Sequence, residues 1–250
     1  MTDRSNSSKN IGDILILKIP FIDDGGEENA IFPAVLACGD GLGEKILIDC
    51  GYPGFLRKLE EASDMAGCPL PKITSVIITH HDYDHCGGLF ELTEKYPRIR
   101  VIASELDAPY IEKEKKNLRL AHSEAVYDTL PEHLRPEAKF FQDSLEALRP
   151  VKVDIAVRDG DSFPWCGGTE IVATPGHMPG HISLYVRAHR TVVTGDALVA
   201  INGRLRLANP SYAMNVQEAK ASAKKLAGLN ADRFICYHGG VVVPDRRRTR

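Results

Sequence analysis

Two hydrophobic rhythms alternate along the chain. Short apolar, β-branched runs bounded by Gly or Asp predict strands at Ile14–Ile19, Phe32–Cys38 and Lys45–Cys50, with a hairpin turn at Gly39-Asp40-Gly41 between the last two. Ser75–Thr79 (Ser-Val-Ile-Ile-Thr) reads as a buried strand and Arg100–Ala103 as another. The same signal returns at Lys152–Val157, Thr169–Ala173, Ile182–Val186, Thr191–Thr194 and Arg233–Cys236. Helical spacing predicts a helix over Phe55–Ala66, with Leu56, Leu59, Ala62 and Met65 on its apolar face and Gly67 as its stop. A short helix is predicted at Leu89–Lys95. A longer one is predicted at Val216–Leu229, capped by Asn215, with Ala219, Ala223, Leu226 and Leu229 inward.

Strand groups separated by helices, in two halves of similar size, predict an α/β fold of two sheets with helices outside. Residues 104–148 break this rhythm. They are charged and helix-prone, with interruptions at Pro109, Pro131 and Pro136, and predict two or three helices inserted over one edge. Such an insertion either caps a site and selects substrate or serves only as packing. Residues 1–10 read as a disordered polar tail. Residues 244–250 read as a basic tail, either a solvated end or a contact for an anionic partner. One domain is expected between them, over residues 11–243.

Composition narrows the function classes. The 250 residues are 43% hydrophobic and 26% charged, ordinary for a soluble globular fold. The 31 basic and 34 acidic residues give a formal charge of −3, so there is no global basic field and no nucleic-acid partner is expected. No apolar run approaches the roughly 18 residues of a membrane span, and no membrane partner is expected. The N-terminal residues Met1 to Asn6 lack the apolar core of a signal peptide. A cytoplasmic location with reduced thiols is therefore expected for the six scattered cysteines. Cys50, Cys86 and Cys236, which lie beside candidate site residues, read as core thiols. The sequence does not fix an oligomeric state; a homodimer is compatible with it.

The candidate chemistry is concentrated after the predicted strand Ser75–Thr79. In Thr79-His80-His81-Asp82-Tyr83-Asp84-His85-Cys86-Gly87-Gly88, five ligand-type side chains fall within six positions. Imidazoles and carboxylates packed at one strand end repel and lose solvation unless a cation offsets the cost. Three further strand ends carry ligand-type residues in turn contexts: Thr174-Pro175-Gly176-His177-Met178-Pro179-Gly180-His181, Thr194-Gly195-Asp196 and Tyr237-His238-Gly239-Gly240. Each is weak alone; the ordered set is specific. His81 is expected to point away from its neighbours, and His122, His133 and His189 to lie on the surface.

This ordered set resembles the metallo-β-lactamase superfamily, and within it the glyoxalase II and lactonase-like branch, over about residues 12–243. The resemblance implies an αβ/βα four-layer sandwich of two mixed sheets with outer helices. It also implies a dinuclear centre of two divalent ions (Zn, Mn or Fe) at one edge. By position, His80, Asp82 and His177 would hold one ion, Asp84, His85 and His238 the other, and Asp196 would bridge them. Asp49 would support the site loop from behind, and His181 would act in the same way. The family's chemistry is attack by water made acidic by two cations, its pKa falling from 15.7 towards about 7. Asp84 is the candidate to orient that water and return a proton to the leaving group.

Two departures matter. The family usually has histidine where this chain has Asp82. With Asp82, Asp84, Asp196 and a hydroxide, the charge of two divalent ions is cancelled, which weakens Lewis acidity and favours harder metals such as Mn or Fe. A neutral variation with zinc retained is the other reading. The lactonase tyrosine a few residues after the bridging aspartate is also missing from Ala197-Leu198-Val199-Ala200. Tyr83 or Tyr212 could supply the substrate contact instead. The expected function is hydrolysis of a small ester, lactone or thioester. The alternatives are a phosphodiesterase or nuclease on the same site, or an iron-dependent redox enzyme.

Overall fold

The computed structural model describes residues 14–23, 25–39, 41 and 43–244. The predicted tail 1–10, all of the basic tail except Pro244, and Asp40 of the predicted turn lie outside the described residues.

β1 (Ile14–Ile16) opens the first sheet, followed by a hairpin of β2 (Ile19–Ile22) and β3 (Glu28–Ile31). β4 (Ala34–Leu36) lies antiparallel between β1 and β5 (Ile46–Ile48). β6 (Ser75–Ile78), β7 (Arg100–Ser104) and β8 (Ile155–Val157) extend the sheet in parallel. In the second sheet, β9 (Ser162–Phe163), β10 (Thr169–Ala173), β11 (Ile182–Val186) and β12 (Thr191–Val193) run antiparallel in chain order. A small hairpin, β13 (Val199–Ile201) with β14 (Arg204–Arg206), follows. β15 (Arg233–Cys236) then joins β12 in parallel, and β16 (Gly240–Val242) closes that edge.

Period-two alternation explains the layering. Ile14, Ile16, Ala34, Leu36, Ile46, Ile48, Ile77 and Ile102 of the first sheet meet Ile171, Ile182, Leu184, Val186, Val193 and Ile235 of the second in one buried cluster. The intervening residues Val35, Leu47, Val76, Ile78, Val101 and Ala103 face the other way. They are covered by Leu59 of α1 (Leu56–Met65) and by Leu89 and Leu92. Val172, Val192, Phe234 and Cys236 on the outer face of the second sheet are covered by a helix through Leu226. Strands buried on both faces must be apolar throughout, which is why they read as continuous runs in the sequence. The mixed two-sheet sandwich with outer helices is the expected one.

The remaining helices are α2 (Tyr83–Cys86), α3 (Leu89–Lys95), α4 (Ala108–Ile111), α5 (Leu118–Tyr127), α6 (Arg135–Ala147) and α7 (Val216–Gly228). Three of them, α4 to α6, form the predicted insertion. The side chain of Asn215 caps α7 by accepting from the backbone N–H groups of Gln217 and Glu218. Two expectations for α1 and β1 change. Met65 is 90% exposed, and Ser63 takes the buried position, its hydroxyl satisfied by the Glu60 carbonyl. The predicted strand Ile14–Ile19 divides, because Leu17 bonds to Pro33 and β2 leaves for its own hairpin.

The cysteines require a correction. Cys38 and Cys166 form a disulfide across 128 residues, contrary to the expectation of reduced thiols. Both sulfurs border the core between the sheets, and the fold brings their Cα atoms to 5.1 Å, within disulfide reach. Cys50, Cys68, Cys86 and Cys236 are free. Thiol titration of the denatured, unreduced protein should therefore count four thiols, and reductant should raise the count to six. Six without reductant would contradict the bond. Among the described residues no helix is long and apolar enough to cross a membrane.

Candidate metal centre

The ligand-type residues leave the carboxyl ends of strands, where open α/β sheets place their sites. Asp49 follows β5, His80 to His85 follow β6, the His177 loop follows β10, Asp196 follows β12 and His238 follows β15. Two glycines permit the close approach. At Gly176, φ is +124° and an added Cβ would lie 2.0 Å from the backbone nitrogen of Ala219 in α7, so the His177 loop can sit directly on that helix. At Gly87 a Cβ would lie 2.1 Å from the Tyr83 carbonyl and 2.3 Å from Pro53.

Seven side chains converge in two overlapping groups. In one, Asp82 Oδ2 lies 2.9 Å from His177 Nε2 and 3.3 Å from His80 Nε2. In the other, Asp84 Oδ2 lies 3.2 Å from His238 Nε2 and 3.5 Å from His85 Nε2. Asp196 spans them. Its Oδ1 is 3.4 Å from His85 Nε2 and 3.5 Å from His238 Nε2, and its Oδ2 is 3.6 Å from His177 Nε2. Within the triads His80/Asp82/His177, Asp84/His85/His238 and His80/His85/Asp196, the ligand atoms lie within 4.8 Å of one another.

The donor set fits divalent cations. His80 Nε2, His85 Nε2 and Asp196 Oδ1 are buried and have no hydrogen-bond partner, an arrangement costly in a folded protein unless something accepts their lone pairs. The opposite ring nitrogens are held from behind: His85 Nδ1 lies 2.9 Å from Asp49 Oδ2, and His80 Nδ1 lies 3.1 Å from Thr79 Oγ1. Metal-binding imidazoles use this pattern, with one nitrogen oriented by the protein and the other presented to the ion.

Asp49 has φ of 61°, in the left-handed region that aspartate tolerates better than most side chains. Its carboxylate accepts from the Thr79 backbone N–H at 2.8 Å and the Thr79 hydroxyl at 2.9 Å, besides facing His85. The Asp196 backbone N–H donates to His181 Nε2 at 2.9 Å, and His181 Nδ1 meets Thr174 Oγ1 at 2.8 Å. Both nitrogens of His181 are thereby occupied, which suits a support for Asp196 rather than an ion ligand.

The electrostatics are those of a site short of positive charge. Burial disfavours the charged form of His85, yet Asp84, Asp196 and Asp49 together hold its pKa well above the usual histidine range. Burial, with help from the neighbouring His85, pushes His80 down to about 3. Burial also opposes ionisation of Asp82, but the close approach of His177, His80 and Arg119 keeps its carboxyl well below the usual range.

Other candidates fall outside the cluster. His81 turns away as expected, but is buried; it stacks on Tyr110 with 4.5 Å between ring centroids and faces Asp107 at 3.1 Å. Cys50 and Cys236 are buried, and burial raises their thiol pKa values. His122 and His133 are exposed and His189 is half-buried. Tyr83 packs edge-on against Tyr52 and Phe141. It helps line a cleft of about 530 Å³ with Phe21, Phe55, Phe90 and Phe140. The Tyr212 side chain is exposed, and its carbonyl accepts from Arg119.

Arg119 is the site residue that the sequence did not reveal. It lies on α5 of the insertion and reaches Asp82 from 37 positions away, with Nε 2.9 Å from Oδ1 and Nη2 2.8 Å from Oδ2. Asn117 accepts from the Arg119 and Leu120 backbone N–H groups, fixing the start of the helix that aims this side chain. The insertion therefore reaches Asp82 of the cluster. Position 119 sits in a charged helical stretch with no local motif, so only tertiary structure exposes its role.

The fold is a two-sheet sandwich whose strand ends carry His/Asp groups that could hold metal ions. The family model of the metallo-beta-lactamase superfamily matches residues 34–238, and the chain belongs to that superfamily, whose members are generally metal-dependent hydrolases. The chain is similar to the uncharacterised protein YobT of Bacillus subtilis (strain 168), 25% identical over 88% of this chain and 89% of YobT. It is also similar to a hydroxyacylglutathione hydrolase of Ruegeria pomeroyi, 28% identical over 66% of this chain and 47% of that one. The crystal structure of the metallo-beta-lactamase family protein TTHA1429 from Thermus thermophilus shares the fold. Its TM-score is 0.70 at 21% identity, covering 94% of this chain and 76% of that one.

Proposed function

We propose that the chain hydrolyses a small ester, lactone or thioester at a centre holding two divalent ions. The observation that carries this reading is the convergence of four Nε2 atoms and three carboxylates, with His80 Nε2, His85 Nε2 and Asp196 Oδ1 left without partners. His80, Asp82 and His177 would hold one ion, Asp84, His85 and His238 the other, with Asp196 between them. When bound, the ions would supply Lewis acidity to a substrate carbonyl and lower the pKa of water.

The protein's own groups would do the rest. Asp84 is the most open of the three carboxylates, its side chain 15% exposed against 10% for Asp82 and 9% for Asp196. It is suited to orient the attacking water and to hand its proton to the leaving group. The aromatic cleft bordered by Tyr83 would take an apolar acyl portion, and its chemistry suits a small molecule better than a polyanion. Tyr83 and Tyr212 are the proposed substrate contacts.

The test is turnover on a panel of aryl esters, lactones, thioesters and phosphodiesters, with protein stripped by chelator and reloaded with Zn, Mn or Fe. Metal-dependent ester, lactone or thioester cleavage is expected. Cleavage of phosphodiesters alone, or oxygen consumption by the iron form without hydrolysis, would overturn the reading.

A further inference from the structure

The two halves of the centre are not equivalent, because a cation of the protein already reaches one of them. Arg119 Nη2 lies 2.8 Å from Asp82 Oδ2 and 3.0 Å from His177 Nε2. Those are the two atoms an ion in the His80/Asp82/His177 half would have to face, since Asp82 Oδ2 is also the oxygen nearest His80. A guanidinium only donates, so it meets the lone-pair side of both atoms, the side a metal would use. At the other half, among the described residues, the ion-pair partners of Asp84 and Asp196 are all histidines. The arginine is not a loose surface group. Its side chain is 13% exposed, its helix is capped by Asn117, and Nη1 is held by the Tyr212 carbonyl.

We propose that Arg119 is an internal competitor for one half of the centre, so that the two metal subsites differ in affinity. The Asp84/His85/His238 subsite fills first. The His80/Asp82/His177 subsite fills only when the Arg119 guanidinium gives up Asp82 Oδ2 and His177 Nε2. Asp82 has a second oxygen, Oδ1, which Nε contacts at 2.9 Å, so the arginine can withdraw one arm without leaving the carboxylate. Histidine in place of Asp82 would offer no such anchor; the aspartate and the arginine act as a pair. Arg119 is thus a positioning and specificity residue, acting through Asp82 and His177. The inference rests on the dinuclear reading above.

Metal binding separates the two ideas without recourse to activity. The full chain, stripped by chelator, would be titrated with Zn²⁺ and separately with Mn²⁺, using calorimetry and elemental analysis after dialysis. The unaltered protein should bind in two steps about 100-fold apart, because a like charge at the weaker subsite opposes filling. Arg119→Gln should tighten the weaker step by at least about 10-fold and leave the stronger within about 3-fold. Arg119→Lys keeps the charge but loses the planar fork, and should fall between the two. If the Gln variant fails to fold, judged by circular dichroism, the Lys variant carries the test. Two equal steps in the unaltered protein, or a weaker step unmoved in either folded variant, would overturn the proposal alone. No metal bound at millimolar concentration would overturn it together with the dinuclear reading.

Discussion

Asp196→Ala is expected to cost the protein at least one metal ion per chain and to lower turnover by at least about 100-fold, since even outer partners of metal ligands cost 10- to 100-fold. The two oxygens of Asp196 face different groups, Oδ1 towards His85 and His238 and Oδ2 towards His177. Its Oδ1 is buried without a hydrogen-bond partner, so alanine removes a lone pair open to an ion. The backbone should survive the change, because His181 is engaged by the Asp196 N–H and not by its carboxylate. Elemental analysis of the folded variant checks this directly. Full metal occupancy would contradict the bridging position.

The second large effect falls on stability and metal binding together. Asp49→Ala should destabilise the fold by about 3–5 kcal/mol, the usual cost of removing one partner from a buried charged network. Three groups lose their acceptor at once: the Thr79 N–H, the Thr79 hydroxyl and His85 Nδ1. For a chain of this length the melting temperature should fall by about 10 °C. Metal affinity should drop by about 10- to 100-fold in the same variant, because His85 loses the contact that orients its ring. Asp49→Asn keeps the shape and an acceptor oxygen but not the charge, and should sit between the two. Unchanged melting and unchanged affinity in the alanine variant would show that Asp49 does not support the loop.

Much of the sandwich was readable from the chain because its strands are buried on both faces. Thr169–Ala173, Ile182–Val186 and Arg233–Cys236 occur with the predicted bounds, as does the helix Leu89–Lys95. The hairpins β2–β3 and β13–β14 were missed for the opposite reason. They are short and largely open to solvent: Ile22 and Ile201 face water, and the apolar arms β2 and β13 pair with β3 and β14, which carry Glu28 and Asn29 and Arg204 and Arg206. Met65 misled because helical spacing alone does not say which stripe meets the sheet; the buried stripe passes through Ser63.

The convergence of the seven metal-site candidates was legible because each follows a strand end within a turn motif. Two features were not legible. Arg119 carries no motif, and its partners Asp82 and His177 lie 37 and 58 positions away. The Cys38–Cys166 disulfide joins residues 128 apart, with no spacing signature of its own. Both are products of tertiary proximity, which periodicity and local motifs do not encode. The Arg119 contact also alters how Asp82 is understood. Besides facing His80 and His177, its carboxylate anchors a guanidinium.

Whether the His/Asp cluster at the strand ends holds divalent ions is read out by elemental analysis of the purified chain, counting metal ions per chain beside the same count for Asp196→Ala. Up to two divalent ions in the unaltered protein, with at least one fewer in the variant, is the predicted result. No bound metal after reconstitution, or the same count in both proteins, would contradict it.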